Sequence, residues 1–420
     1  MTRGIARSAR VALVVSVVFT AGCGGCKGGS GGKSTGGAGA LDDPRAEPLD
    51  AVDAAQDAST PLPPRCTDRQ PLPLAPGTYE MGDALVTAER IFVGLSHDVD
   101  KKRRAALLTV TRDGARLSIA SVVDDAAELA ADAPPPKVVL LGGKPLLALY
   151  PRTEGTAKRE LAIDAWRIPQ QSDMSFAFDV AARGAEGIVA WDEDAPNAAR
   201  GLVKVVPLPY DAAAPVKVVS ADTSDADSPR VAARPGGGFV IAWLARKPET
   251  ERDAQPELEG PAEKRQHVWL EIAEVDAKGT LTAQPVRVTK AGSRVESFDL
   301  LAHDDAVDIL VKDDEQPGDD EGSRLVLVTL RGAETLVRVI AERGVGRGIP
   351  DLLAGQAMFA DVADRARLLP LAPGARVSPE PDLDRARPLA ALGDQILAGF
   401  PGDSAKPLAV FRCFEPVRKQ

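Results

Sequence analysis

Few side chains in this sequence have chemistry to offer. His97, His267 and His303 stand far apart, and none has a second His at metal-ligand spacing, so each reads as a surface or turn residue. Residues 222–227 (DTSDAD) and 313–322 (DDEQPGDDEG) gather the oxygen ligands that Ca²⁺ prefers. Both lack the alternating spacing and closing Glu of a calcium loop, and read as solvated loops. Residues 28–35 (GGSGGKST) carry a Gly-Lys-Ser, but Lys27 stands where a phosphate-cradling loop needs its first Gly. No strand pattern precedes it and no helix pattern follows. Cys23 and Cys26 have half the spacing of a zinc site, without a second pair or a nearby His. These residues predict no catalytic site, no metal and no cofactor. Acid/base chemistry by paired Asp and Glu leaves no signature in a sequence, so a hydrolase or lyase stays open.

The remaining chemistry lies in the cysteines, and the N-terminus says what happens to the first. Arg3, Arg7 and Arg10 precede the apolar run 11–21 (VALVVSVVFTA), which ends in Thr20-Ala21-Gly22-Cys23. A basic start, a short apolar core and small residues make a secretory signal. The run is shorter than the about 20 apolar residues that span a bilayer. Residues 20–23 resemble the lipobox of bacterial lipoprotein precursors, with Thr20 where that family usually has Leu. The resemblance implies cleavage after Gly22 and a lipid on Cys23. It also implies export and, since Gly24 and not Asp follows the Cys, the outer membrane. Residues 24–64 are mostly Gly, Ser, Ala, Asp and Pro. They have almost nothing to bury and predict a flexible tether with a reach on the order of 35 Å.

Export places Cys66 and Cys413 in an oxidising compartment. A Cys66–Cys413 disulfide would join the two ends of the folded part. Cys26 is left without an assigned partner. Residues 402–407 (GDSAKP) are similar to the nucleophile segment of trypsin-like proteases. Ala405 and Lys406 depart from that pattern, the segment reads as a hairpin turn, and no Gly-x-Ser-x-Gly elbow occurs.

From Pro71 the apolar pattern is short and strand-like, bounded by Gly, Pro and Asp. Only residues 126–133 (AAELAADA) could make a short helix. The clearest unit spans residues 228–289. It holds strands at 230–233, 239–243 (FVIAW), 267–276 (HVWLEIAEVD) and 285–289 (PVRVT), with a long polar insertion from 247 to 265. Weaker copies put Trp191 where Trp243 stands and place further second strands near residues 91, 146, 306, 357 and 395. Four strands repeating roughly every 40 to 70 residues predict a β-propeller of about seven four-stranded blades. The Gly turn followed by Ala-Trp resembles loosely defined bacterial propeller repeats. Trp191 and Trp243 are then core between blades, and Cys66 and Cys413 meet where the first and last blades join. Tandem β-sandwich domains are the alternative fold. The predicted organisation is signal peptide 1–22, tether 23–65 and propeller-like domain 66–416.

The formal net charge of −10 argues against nucleic acid as a partner, since phosphate recognition relies on clustered Lys and Arg. The function predicted is a lipid-anchored envelope protein acting as a non-enzymatic binding or assembly scaffold. Its partners would be the membrane, through the anchor, and an envelope protein or polysaccharide. A propeller enzyme and a structural envelope component are the alternatives.

Overall fold

Residues 239–245 (FVIAWLA) are apolar at odd and even positions alike, so a strand made of them must be covered on both faces. That is how the chain uses them. The computed structural model describes residues 63–413 except 76, 114–115, 154–158, 172–176, 196–199, 249–266, 291, 304–305, 315–321, 333, 347, 373–374, 402 and 404. In it Phe239–Arg246 is the second strand of a four-stranded antiparallel sheet. Phe239, Ile241, Trp243 and Ala245 pack on the preceding sheet. Val240, Ala242 and Leu244 pack on the following one.

Seven such sheets make up the domain. Blades 1 to 6 span residues 79–128, 137–169, 178–218, 225–287, 295–345 and 351–379, each with its strands in sequence order from the axis outward. Blade 7 takes three strands from residues 387–413 and its outermost strand, Cys66–Pro71, from the start of the domain. The innermost strands touch in a closed cycle, blade 1 to blade 7 and back to blade 1. Each of the seven interfaces between blades is filled by its own apolar cluster. Each fully buried Val, Leu, Ile or Phe contributes about 1.5–3 kcal/mol, so the ring is held by many small cores. This is a seven-bladed β-propeller, and the tandem-sandwich alternative is ruled out.

The predicted cysteine pair brings the two ends of the domain together, but inside blade 7 and not between the first and last blades. Cys66 sits opposite Cys413 in an antiparallel pair, and a disulfide joins them. The buried Glu380 carboxylate clasps the same point, accepting the N–H of Arg65 at 3.0 Å, the N–H of Cys66 at 2.8 Å and the Ser378 hydroxyl at 2.6 Å.

Two local expectations are corrected, and one further run resolves into two strands. Residues 126–128 continue the outer strand of blade 1, with Glu128 opposite Arg104, and the turn that follows is not helical. Cross-strand pairing overrides the helix preference of the alanines. The run 161–168 is a hairpin, Glu160–Ile163 and Trp166–Pro169, turning at residues 164–165. Residues 225–227 are not a solvated loop but the start of the innermost strand of blade 4, with Asp225 buried. The signal, tether residues 23–62 with Cys23 and Cys26, most of the 247–265 insertion, most of 313–322 and residues 414–416 lie outside the described residues.

Candidate functional site

Asp83, Lys137, Asp179, Arg230, Asp299, Asp351 and Arg387, one from the innermost strand of each of blades 1 to 7, act on one another as a cluster of charges. Local backbone fit places the second of these. Gly82 and Gly94 of blade 1 leave room for the carbonyl of Pro136, which would lie only 2.2 Å and 1.9 Å from a Cβ at those positions. Blade 2 therefore approaches closely at the residue before Lys137.

Lys137 Nζ donates to Asp83 Oδ2 at 2.7 Å and to Asp179 Oδ1 at 2.9 Å, tying blades 1, 2 and 3. Arg387 of blade 7 donates to the other oxygen of Asp83. Arg230 of blade 4 reaches across to Asp83 Oδ2 at 3.1 Å. That contact joins non-adjacent blades and therefore crosses the axis. Two of the acids are also pinned by the next blade. Asp179 accepts the N–H of Val231 at 2.8 Å, and Asp299 accepts the N–H of Leu352 at 2.7 Å.

The electrostatics divide the ring. Burial would raise the Asp83 carboxyl, but Lys137, Arg230 and Arg387 together outweigh it and hold the group far below the usual range. Its side chain is still 45% exposed, so it opens onto water at the axis. Burial would lower the Arg230 guanidinium, but the four acids around it raise it. On the far side, burial raises the Asp299 carboxyl despite Arg230. Burial, then the Asp299 charge beside it, pushes Asp351 up to about 8. Among the described residues no hydrogen bond reaches the Asp351 carboxylate.

Other charged groups build the scaffold. Glu193 and Lys204 form an enclosed pair at 2.6 Å, with side chains 2% and 8% exposed. Trp191 and Trp243 are buried between blades, donating their indole N–H groups to Glu193 and Glu271. Asp225 and Asp227 are engaged by Arg246. The histidines stay apart: His97 meets Asp124 at 2.9 Å, His267 meets the Gly292 carbonyl at 3.0 Å and His303 meets Asp308 at 2.8 Å. Ser96 and His97 do not form a nucleophile pair. The serine hydroxyl turns to Glu80, on the opposite side of the strand from the imidazole. Asp403 caps a hairpin turn by accepting the N–H groups of Ala405 and Lys406. No set of three His, Cys, Asp or Glu able to hold a metal occurs among the described residues. The sequence reading brought Cys66 and Cys413 together correctly and missed the axial ring.

The fold and the ring define a propeller with an ion-paired axis. No family model matches the chain, and no curated protein matches it. Solved structures give distant likenesses. The GH93 α-L-arabinofuranosidase of Fusarium graminearum is similar at 9% identity, covering 83% of this chain and 97% of that one, with a TM-score of 0.38. Sqt1 from Chaetomium thermophilum is similar at 11% identity, covering 84% and 100%, with a TM-score of 0.37. A neuraminidase-like protein of A/little yellow-shouldered bat is similar at 7% identity, covering 66% and 93%, with a TM-score of 0.39. At these scores the likenesses carry no argument about activity.

Proposed function

We propose that the chain is a lipid-anchored protein of the bacterial outer membrane whose propeller acts as a non-enzymatic binding or assembly scaffold. The observation that carries this reading is the order of parts in one chain. A lipobox-like Thr20-Ala21-Gly22-Cys23 comes first, then about 40 residues composed mostly of Gly, Ser, Ala, Asp and Pro, then a ring closed by Cys66–Cys413. Two or three acyl chains at Cys23 hold a protein at a membrane firmly, at about 0.8 kcal/mol per buried methylene. The axial ion pairs support a scaffold role: Lys137, Arg230 and Arg387 are engaged by the ring's own acids. A carboxylate-based hydrolase or lyase is the second reading, and it draws on the adjacent Asp299 and Asp351.

Metabolic labelling with radioactive palmitate tests the anchor. Label is expected in the wild type and not in Cys23→Ala, and equal label in both would refute it. Pull-down from detergent-solubilised envelope then reads the scaffold role.

A further inference from the structure

The strand that closes the ring carries little information about where to pair. In Cys66–Pro71 (CTDRQP) only Cys66 is buried, and the other side chains are exposed. A strand without a buried face is prone to slip along its neighbour. Its ladder with Leu408–Cys413 is also interrupted. Cys66 and Thr67 face Cys413 and Arg412, Gln70 and Pro71 face Val410 and Ala409, and the register shifts between the two sets. Asp68 sits in that shift with a φ of 54°. Leu72 and Leu74 anchor the far end in the core between blades 7 and 1, but the irregularity separates them from Cys66. A slip of one residue would move Cys66 by about 3.3 Å and turn its side chain to the other face, away from Cys413.

We propose that Glu380, on the link from blade 6 to blade 7, is the register lock of the ring: it seats residues 65 and 66 so that the Cys66 thiol meets Cys413 and no other cysteine. Both of its oxygens accept the N–H of Arg65, at 3.0 and 3.1 Å, and Oε2 also accepts that of Cys66 at 2.8 Å. The Ser378 hydroxyl donates to Oε1 at 2.6 Å and fixes the carboxylate. The Arg65 guanidinium adds a second hold, donating to the Arg376 carbonyl at 3.0 Å. The seat is selective in both directions. Slipped one way, the strand would bring it Pro64, which has no N–H to give. Slipped the other way, the strand would draw the Arg65 guanidinium off Arg376.

The bond forms by exchange with a small disulfide such as oxidised glutathione. One cysteine thiolate attacks that disulfide and expels a glutathione thiolate. The other cysteine thiolate attacks the mixed disulfide and expels the second. The protein loses two electrons and two thiol protons, and the glutathione disulfide is reduced to two thiols. Only the second attack needs the two cysteines in register, and there Glu380 acts as a positioning residue. A wrong partner exists in the same chain, since Cys26 lies upstream of Cys66. Closure in register does not depend on a lipid at Cys23.

The test uses the full chain in detergent, reduced while folded and then exposed to oxidised glutathione. Samples quenched with acid are digested without reduction, and mass spectrometry reads the rate of bond formation and the cysteines joined. Wild type, Glu380→Ala and Glu380→Gln are compared, with circular dichroism checking that each reduced protein stays folded. Glu380→Gln keeps the size of the side chain and one acceptor oxygen, and carries the test if Glu380→Ala does not fold. The wild type should give the Cys66–Cys413 pair alone. A hydrogen bond to a carboxylate favours the seated strand by about tenfold or more, so the variants should close about tenfold more slowly and give bonds that include Cys26. A merely structural role would lower stability and leave rate and pairing unchanged. Closure of the variants at the wild-type rate would overturn the proposal, and so would exclusive Cys66–Cys413 pairing in them.

Discussion

Reducing the Cys66–Cys413 bond should weaken the domain by several kcal/mol without changing its folded structure. The bond spans 347 residues of sequence. On the chain-entropy relation, closing a loop of that length restricts the unfolded chain by about 6 kcal/mol, and measured native disulfides more often contribute about 2–5. The folded side changes little on reduction, because Cys66–Pro71 also pairs with Leu408–Cys413 and Glu380 still holds the N–H groups of Arg65 and Cys66. With a urea dependence of about 3 kcal/mol per molar, the unfolding midpoint should fall by about 1–2 M. Urea titration of the soluble domain followed by circular dichroism, with and without a phosphine reductant, measures this. Cys66→Ser, Cys413→Ser and the double variant should all match the reduced wild type, since each breaks the same bond. An oxidised wild type whose midpoint equals that of the double variant would refute the reasoning. Closure would then rest on strand pairing and Glu380 alone.

Two further outcomes follow from buried charges. The Asp351 carboxyl ionises near pH 8 when folded and near pH 4 when unfolded. The folded state then holds the extra proton between these values, so stability present at low pH is lost as pH rises through about 8. Asp351→Asn should remove that slope and raise stability at pH 9 by up to about 5 kcal/mol, read as urea midpoints at pH 5, 7 and 9; parallel wild-type and variant profiles would count against it. Lys204→Met should destabilise by about 3–5 kcal/mol, because it leaves the Glu193 carboxylate enclosed without its cation. Thermal unfolding checks this, and a change below about 1 kcal/mol would show that water reaches Glu193.

Much of the architecture was legible because propeller blades are covered on both faces. Such strands announce themselves as unbroken apolar runs between turn residues, as in 239–245 and 306–311. The period followed from those runs, and the Cys66–Cys413 closure from the redox compartment. The axial ring was not legible, since each blade supplies a single charged residue from a strand of its own. Lys137 and Asp179 meet only because blades 2 and 3 are neighbours on the axis. One trace did exist: Phe178-Asp179-Val180 and Phe298-Asp299-Leu300 put an acid between two apolar neighbours in a first strand. A charge there has to be answered by another blade. The alanine-rich 126–128 misled for the opposite reason, since local helix preference is weak against a long cross-strand ladder.

The outermost strand of blade 7 is also where the chain leaves the domain toward its N-terminus. A pull arriving through residue 65 meets an edge strand, the element most easily peeled from a sheet. The sulfur bridge diverts that pull at once into Leu408–Cys413, one strand deeper and paired on both sides. Tension is thereby borne by the body of the sheet, and the ring can stay shut under load.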